Sequence, residues 1–547
     1  MECPIRGKEV IKPLAKFGSR ELAELRTELR SEYGPFVVNP ARAQALKEIL
    51  AFADKESEEA CLHDRLRLEK RVEILRSILS PMRRLPNESL LRIFEYVCDE
   101  NFLQSYPWND FAPPTKLTFP VIVYLPTMAI SSVCFRWREL ALSSPGLWAS
   151  LIVQTCSIPS SQVKSLVGFI STLELFLERS GDWPLRLALD TRGDKEMDYF
   201  LAPLTRHTHR WKTFKYRGQY SLTTSQVLSN FHFPLLVELD LRSNFHWVQP
   251  SDLDRFEYSP RLRTLVTNRT PPPECKIPLH QLHYAEFGID FSEDLEEALR
   301  NCSSLRSVAL RRADSWFLEQ PERESIWRNI TSLVIREPSV QPWNKVSDEV
   351  FPFFSFPSLT ELRVERLEQR AADSATAWPR DVFISFVSRS SCMITKFTIR
   401  GISLSDLDLI ASLKVMPSLL HLEVDDKGPI QTMHRSPITP RLIASLIQNQ
   451  SNETLPNSLV PKLHSLRLLF DGKTFDDLAF VSMVQSRWFK PGSDLHAAKL
   501  TMGIGCIRSV VLKFSRRDVV VESYKPLRVL DEEGLRVVVA GKKGVQI

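Results

Sequence analysis

The sequence predicts an α-helical amino-terminal region followed by an α/β solenoid that contains one parallel sheet. A six-residue pattern, φ-x-x-φ-x-φ with φ apolar, recurs along residues 211–512, and apolar residues at helical spacing precede it. At 547 residues the chain is too long for one ordinary hydrophobic core. Several structural units or a repeat array are therefore expected.

Residues 1–79 are predicted to form a helical region with coiled-coil character. Pro40 is expected to start a helix, because proline is tolerated in a first turn. Four apolar residues lie four, three and four positions apart, the a/d spacing of a coiled coil, namely Leu68, Val72, Leu75 and Leu79. So short a run is compatible with a dimerising coiled coil and with an antiparallel helical hairpin folded on itself or on the next segment.

Residues 80–151 are predicted to form three short helices with apolar faces. On the first helix Leu90, Ile93 and Phe94 recur at i, i+3 and i+4. The third helix opens at Ser144, a favourable N-cap residue that is followed by proline. The second helix carries its own stripe over three turns, comprising Ile130, Val133, Cys134, Trp137, Leu140 and Ala141.

Three motifs follow one another in this segment. Their residues are Leu85, Pro86, Glu88, Leu90, Leu91, Ile93, Phe94, Val133, Cys134, Trp137, Leu140, Leu147 and Trp148. Together they resemble the F-box, which reads L-P-x-E-[IL]-L-x-x-I-F, then V-C-x-x-W-R-x-L-A, then P-x-L-W. Two departures are an extra residue after Glu88 and an insert at 99–126, which its prolines predict to be a loop.

The resemblance implies a role in ubiquitin-dependent protein degradation. An F-box docks the Skp-type adaptor, and through it the cullin, of an SCF-type ubiquitin ligase, while the downstream domain captures an unknown protein substrate. The alternative is a non-degradative scaffold that keeps the adaptor contact. Trp148, like Leu140, fits the core of the three-helix unit as well as its surface. The residues expected to bind the adaptor or to support that face are Leu85, Pro86, Leu90, Leu91, Ile93, Phe94, Val133, Cys134, Trp137, Leu147 and Trp148.

Residues 152–514 are predicted to form an irregular solenoid that is similar to leucine-rich repeats, and residues 515–547 a carboxy-terminal tail. Most intervals between copies of the φ pattern are 20–29 residues, which is the period of that family. The rival interpretation is a large α/β domain with recurring parallel strands. The copies begin at Trp211, Leu236, Leu262, Leu282, Leu305, Ile330, Leu359, Ile394, Leu419, Leu463 and Ile507.

Arg311, Arg363 and Arg467 are the expected substrate-binding residues. Side chains of a strand alternate between its two faces, so residues between the φ positions should point outward. A guanidinium group binds carboxylates and phosphates bidentately. Because these positions are expected to be exposed, their replacement should change stability little.

Composition and motifs exclude several other classes of protein. A formal charge of +5 without long basic blocks gives no support for nucleic-acid binding, and no apolar run suits a membrane span or a signal peptide. Nine scattered cysteines, never in C-x-x-C, indicate reduced thiols in the cytoplasm or nucleus. No nucleotide-binding, hydrolase or metalloprotease motif is present. We therefore expect a non-catalytic protein without cofactor or metal.

Overall fold

The chain forms two compact units in a computed structural model. The first unit comprises Met1–Tyr220 and Thr224–Leu236, and the second Ser221–Thr223 and Val237–Ile547. Each unit has its own core of strands and helices. The residues that the structure describes are 24, 27, 39–59, 72–74, 76–104, 118–154, 163–191, 197–218, 222, 231–243, 250–289, 292–312, 324–338, 345–366, 378–426, 436–448, 459–473, 475–490 and 492–545.

The first unit combines seven described helices with four strands. The helices are α1 (Pro40–Glu59), α2 (Asn87–Val97), α3 (Phe119–Tyr124), α4 (Pro126–Ser131), α5 (Phe135–Leu142), α6 (Val163–Arg179) and α7 (Met197–Thr205). The strands are β1 (Asn101–Gln104), β2 (Ser150–Gln154), β3 (Leu185–Thr191) and β4 (Trp211–Gly218). Each strand pairs in parallel with the next, so the four form one sheet in chain order.

The insert at residues 99–126 contributes regular structure, which corrects the prediction of a loop. It supplies β1 and α3, while residues 105–117 lie outside the described part. Asn101 is fully buried, and its Nδ2 donates to the carbonyls of Leu147 (3.0 Å) and Ser150 (3.2 Å). Its Oδ1 accepts from the amide of Thr127 at 3.2 Å. This polar side chain therefore fixes the insert to the segment that leads into β2.

The amino-terminal region is described in part. A helix begins at Pro40, as predicted, and residues 72–74 and 76–79 are helical. Val72 is buried within the single chain, and both the folded-back hairpin and the dimerising coiled coil stay predictions. Leu68 and Leu75 lie outside the described residues.

The second unit alternates strands with helices. The strands are β5 (Glu238–Ser243), β6 (Thr264–Thr267), β7 (Tyr284–Ile289), β8 (Ser307–Arg312), β9 (Ser325–Ile326), β10 (Ser332–Glu337), β11 (Phe354–Ser355), β12 (Glu361–Arg366), β13 (Lys396–Arg400), β14 (His421–Asp425), β15 (Ser465–Phe470), β16 (Ser509–Phe514), β17 (Arg536–Gly541) and β18 (Gly544–Val545). The helices are α8 (Pro250–Asp254), α9 (Ser292–Asn301), α10 (Ser347–Phe353), α11 (Arg380–Ser390), α12 (Asp406–Lys414), α13 (Pro440–Leu446), α14 (Asp477–Arg487), α15 (Asp494–Thr501) and α16 (Lys525–Glu532).

One parallel sheet organises this unit. Strands β5–β8, β10 and β12–β17 pair in parallel in chain order, and β18 adds a short antiparallel partner to β17. All eleven φ patterns coincide with parallel strands of the two units, and equivalent φ residues lie opposite each other, as with Leu333, Leu362 and Phe397. The predicted mostly parallel α/β sheet is confirmed.

Three threonine side chains form hydrogen bonds between the residues that precede successive strands. The hydroxyl of Thr331 donates to the carbonyl of Arg306 at 3.2 Å. Thr360 donates to Thr331, and Thr395 to Thr360, each at 3.1 Å. Because each hydroxyl satisfies a carbonyl of the preceding strand entry, it supports the register in which the strand begins.

Residues 515–547, predicted to be a tail, extend the sheet through β17. Tyr524 is fully buried, and its hydroxyl donates to Asp477 on α14 at 2.5 Å. Arg517 pairs with the same carboxylate and covers the ring of Phe514 at 3.9 Å. These contacts pack the segment between β16 and β17 against α14.

Candidate functional site

Helix α2 exposes apolar side chains beside the face that it buries. Leu90 and Phe94 point into the core, where Phe94 is 1% exposed. Ile93 and Val97 lie one turn apart on the adjoining strip, and Ile93 is 43% exposed. An apolar side chain in this position contributes little to the fold of the chain itself and is available for a partner.

The turn that leads into α5 also exposes apolar side chains. Val133 is 53% exposed and Phe135 is exposed too, whereas Trp137 is half-buried against Phe94 with ring centroids 4.9 Å apart in a T-shaped arrangement. Because Phe94 and Trp137 belong to α2 and α5, their contact brings the two helices together. We define the helical apolar surface as Ile93, Val97, Val133, Phe135 and Trp137.

Arg136 fixes the geometry beneath this surface. Its side chain is buried and donates to Asn87 Oδ1 at 2.7 and 2.9 Å, at the first residue of α2. It also donates to the carbonyls of Arg83 (3.0 Å) and Leu85 (2.6 Å). One guanidinium group thus ties α5 to the Leu85–Pro86 turn, where Pro86 is exposed and Leu85 half-buried. This role of Arg136 was not predicted from the sequence.

The third predicted helix is a 3₁₀ turn, Pro145–Trp148, and its apolar residues are internal. Trp148 is fully buried, its Nε1 donates to the carbonyl of Ala141 at 2.8 Å, and Arg179 lies 4.5 Å above its ring. Leu147 is buried as well. Among the predicted adaptor residues, Leu90, Phe94, Leu147 and Trp148 are therefore core, Ile93, Val133 and Pro86 are exposed, and Leu85, Leu91, Cys134 and Trp137 lie between.

A second surface is the polar face of the sheet in the second unit. It consists of the alternate strand side chains on the side opposite the buried φ residues. The predicted Arg311, Arg363 and Arg467 all lie on this face, because each occupies a position between or after the φ residues of its strand. The structure therefore gathers the three on one face, on strands β8, β12 and β15.

Ion pairs connect strands of the polar face, some of them adjacent and others separated by one strand. Glu286, whose side chain is 4% exposed, lies 2.5 Å from Arg336, 3.7 Å from Arg311 and 3.9 Å from Arg242. Burial, followed by the charge of Glu286, raises the pKa of Tyr284, whose hydroxyl donates to that carboxylate at 3.4 Å. We call the continuous series the ion-pair ladder; it comprises Asp240, Arg242, Glu286, Arg336, Glu365, Arg363, Glu361 and Lys396.

Contacts within the sheet leave little of Arg311 accessible for binding a substrate. Its Nη2 donates to Asn268 Oδ1 at 2.7 Å and to the carbonyl of Thr267 at 3.1 Å, and its side chain is 16% exposed. Its guanidinium is therefore engaged within the sheet. Arg363, at 30% exposure, lies between Glu361 and Glu365, and only Arg467, at 43%, is widely accessible.

Burial keeps two cysteine thiols of the second unit in the protonated form. Burial raises the pKa of the Cys275 thiol to about 11 and that of Cys302 to about 12, which opposes the thiolate form that a nucleophile needs. No group of three His, Cys, Asp or Glu side chains among the described residues is arranged to hold a metal ion. None of the described helices is both long enough and apolar enough to cross a membrane.

Comparisons with known proteins give no further guidance. No protein-family model matches the chain, and no curated protein matches it either. The helical apolar surface and the polar face are therefore the features from which a function is inferred.

Proposed function

We propose that this protein is the substrate-recognition subunit of an SCF-type cullin-RING ubiquitin ligase. In this proposal residues 80–151 form an F-box whose helical apolar surface docks a Skp-type adaptor. The second unit is a leucine-rich-repeat-like array whose polar face holds the target protein. The chain performs no chemistry; it raises the local concentration of a target lysine near the charged conjugating enzyme.

The observation that carries the proposal is the position of Ile93 and Val133. Both are exposed β-branched residues, and Val97 and Phe135 beside them are exposed as well, whereas Leu90 and Phe94 of the same segment are buried. The F-box-like motifs identified in the sequence include both positions. Apolar side chains that are exposed together at helix edges are typical of protein interaction sites. Aromatic neighbours such as Trp137 commonly anchor such contacts.

The test is affinity capture of the full chain from cells. Wild type should recover both a Skp-type adaptor and a cullin. Ile93→Asp combined with Val133→Asp should lose at least nine tenths of the adaptor, because burying an unpaired carboxylate in an apolar interface is strongly unfavourable. The matched control is Ile326→Asp, which alters an exposed isoleucine on β9 of the second unit and should leave adaptor yield unchanged.

Two outcomes would overturn the proposal. Adaptor yield that survives the double substitution would place the docking face elsewhere. Recovery of adaptor without cullin would contradict the ligase role and support the non-degradative scaffold. Circular dichroism of the double variant should match wild type, because both positions are exposed in the folded chain.

A further inference from the structure

Charge is distributed unevenly along the polar face. Strands β5–β12 contribute four arginines against five carboxylates at polar-face positions: Arg242, Arg311, Arg336 and Arg363 against Glu238, Asp240, Glu286, Glu361 and Glu365. Strands β13–β17 contribute five cations against two carboxylates: Lys396, Arg400, Arg467, Lys513 and Arg536 against Glu423 and Asp425. The carboxy-terminal part of the face therefore carries a net positive charge.

From β8 onward the arginines of this face also become more accessible toward its carboxy-terminal strands, whereas Arg242 on β5 is 29% exposed. Side-chain exposure is 16% for Arg311, 21% for Arg336, 30% for Arg363, 40% for Arg400 and 43% for Arg467. Early arginines are engaged by the ion-pair ladder. Late arginines retain surface through which an external anion reaches the guanidinium.

The carboxylates of the late strands neutralise only part of the positive charge on those strands. Glu423 lies 2.9 Å from Arg400 and 3.6 Å from Arg467, so one carboxylate serves two guanidinium groups. On the following strands, Lys513 and Arg536 have no acidic residue opposite them in the register of β15–β17. We define the basic strip as Arg400, Arg467, Lys513 and Arg536.

Small side chains separate the members of the basic strip. Ser465, Ser509, Val511 and Val538 occupy polar-face positions of β15–β17 between the cations. From strand spacing and rise, neighbouring cations of the strip lie about 8–14 Å apart, which equals two to four residues of an extended chain.

We propose that the basic strip binds an extended acidic peptide segment of the target, whose carboxylates or phosphates lie two to four residues apart. This inference rests on the proposed function only in taking the polar face as the target-binding surface. A short acidic segment fits better than a long polyanion, because a long one would extend over the carboxylate-rich strands β5–β12 and be repelled.

The experiment measures fluorescence anisotropy of labelled peptides titrated with the full chain. The probes are a ten-residue peptide with four glutamates at every second position, its glutamine counterpart, and a version with two phosphoserines. The glutamate peptide should bind at least tenfold more tightly than the glutamine peptide. Tighter binding of the phosphoserine peptide would identify a modified segment as the source of the anion, and equal binding would identify a constitutively acidic one.

Two double variants locate the binding site. Arg467→Glu combined with Lys513→Glu should weaken glutamate-peptide binding at least tenfold. The matched control, Arg300→Glu combined with Lys525→Glu, makes the same change in net charge at exposed sites away from the polar face and should weaken binding less than twofold. Equal weakening by both double variants would reveal a long-range charge effect and overturn the assignment.

Adaptor capture of the same variants keeps the two proposals apart. Both double variants should recover adaptor at wild-type yield, because neither alters the helical apolar surface. Wild type that captures adaptor normally but binds the glutamate and glutamine peptides equally would overturn the basic strip alone. Failure of wild type to capture adaptor would overturn the ligase assignment, while the peptide result would still decide whether the strip binds acidic segments.

Discussion

Arg311 reaches Asn268 across an intervening strand. Arg311 is on β8 and lies opposite Gly288 on β7, while Asn268 directly follows β6; its amide oxygen is 2.7 Å from Arg311 Nη2. Glycine has no side chain, so the guanidinium passes over β7 without obstruction at this point. Glu286 on β7 then lies 3.7 Å from Arg311 Nε and beside Arg336. Arg311 thus joins three strands of the polar face.

The first prediction is that Arg311→Glu destabilises the second unit. The sequence suggested a harmless exposed substitution, but the new carboxylate would lie beside nearly buried Glu286 and lose the bond to Asn268. We expect a loss of about 1–3 kcal/mol in the free energy of unfolding, measured by urea denaturation. Arg467→Glu, at a more exposed position of the same face, serves as control and should cost under about 0.5 kcal/mol. Equal stability of the two variants would contradict the proposed role of Arg311.

The second prediction separates core from surface on α2. Phe94→Ala removes a ring that packs against Trp137 at 1% exposure, so we expect a loss of about 3–5 kcal/mol. Ile93→Ala should change stability by less than about 0.5 kcal/mol, because Ile93 is 43% exposed. Thermal unfolding followed by circular dichroism distinguishes the two. A larger loss for Ile93→Ala would reverse the orientation assigned to the helix.

The third prediction concerns Arg487, a fully buried cation. Its guanidinium donates to the carbonyls of Leu446, Leu459 and Val460 at 2.5, 2.6 and 3.0 Å, and burial lowers its pKa to about 10. Arg487→Met leaves three buried carbonyls without this donor, so we expect a loss on the order of 3 kcal/mol in unfolding free energy. The control is Lys490→Met, at an exposed position three residues away. A variant as stable as wild type would show that other groups satisfy these carbonyls.

The fourth prediction is a pH dependence from Glu349 on α10. Burial raises the pKa of its carboxyl to about 7, although Arg312, 2.9 Å away, acts in the opposite direction. The folded state therefore binds a proton that the unfolded state has released. The stabilisation from this group is complete below the unfolded pKa of about 4.3 and is lost as the pH rises through 7.

Glu349→Gln should reduce the difference in unfolding free energy between pH 5 and pH 8 by on the order of 1–3 kcal/mol. Urea denaturation at both pH values measures it. Glu297→Gln, at an exposed position of α9, is the control and should follow wild type. If Glu349→Gln retains the wild-type pH dependence, a different group titrates in this range.

The φ pattern predicts eleven strands because parallel strands bury the same alternate positions in every repeat. Three of the strands that it missed, β1, β3 and β17, each break the pattern at one point. Asn101 on β1 occupies the middle φ position opposite Leu151, and it is buried through hydrogen bonds that a hydrophobicity pattern does not detect. Pro184 before β3 and Gly534 before β17 replace the first φ residue. At β2 the pattern is intact and begins at Trp148. This copy was not recognised because Trp148 had been assigned to the F-box-like motif.

The candidate sites were less predictable than the strands. Alternation within a strand correctly placed Arg311 and Arg467 on one face, but it does not reveal which guanidinium groups are already paired. Pairing depends on residues of neighbouring strands, such as Glu286, that are far apart in sequence. In the helical segment, spacing identified the apolar stripe but did not separate buried Phe94 from exposed Ile93, since adjacent positions differ by only 100° around a helix.

The ion-pair ladder also affects which strands pair with one another in a chain of similar repeats. Every strand offers nearly the same apolar side to its neighbours, so hydrophobic contacts alone discriminate poorly between right and wrong strand partners. Arg336 on β10 supplies part of that discrimination, because it pairs with Glu365 on the adjacent β12 and, across β8, with Glu286 on β7, and an exchange of strands would break these pairs. The charges of the polar face thus help to specify the order in which strands β5–β13 pair. Sequence change on that face is constrained by strand order before any partner is bound.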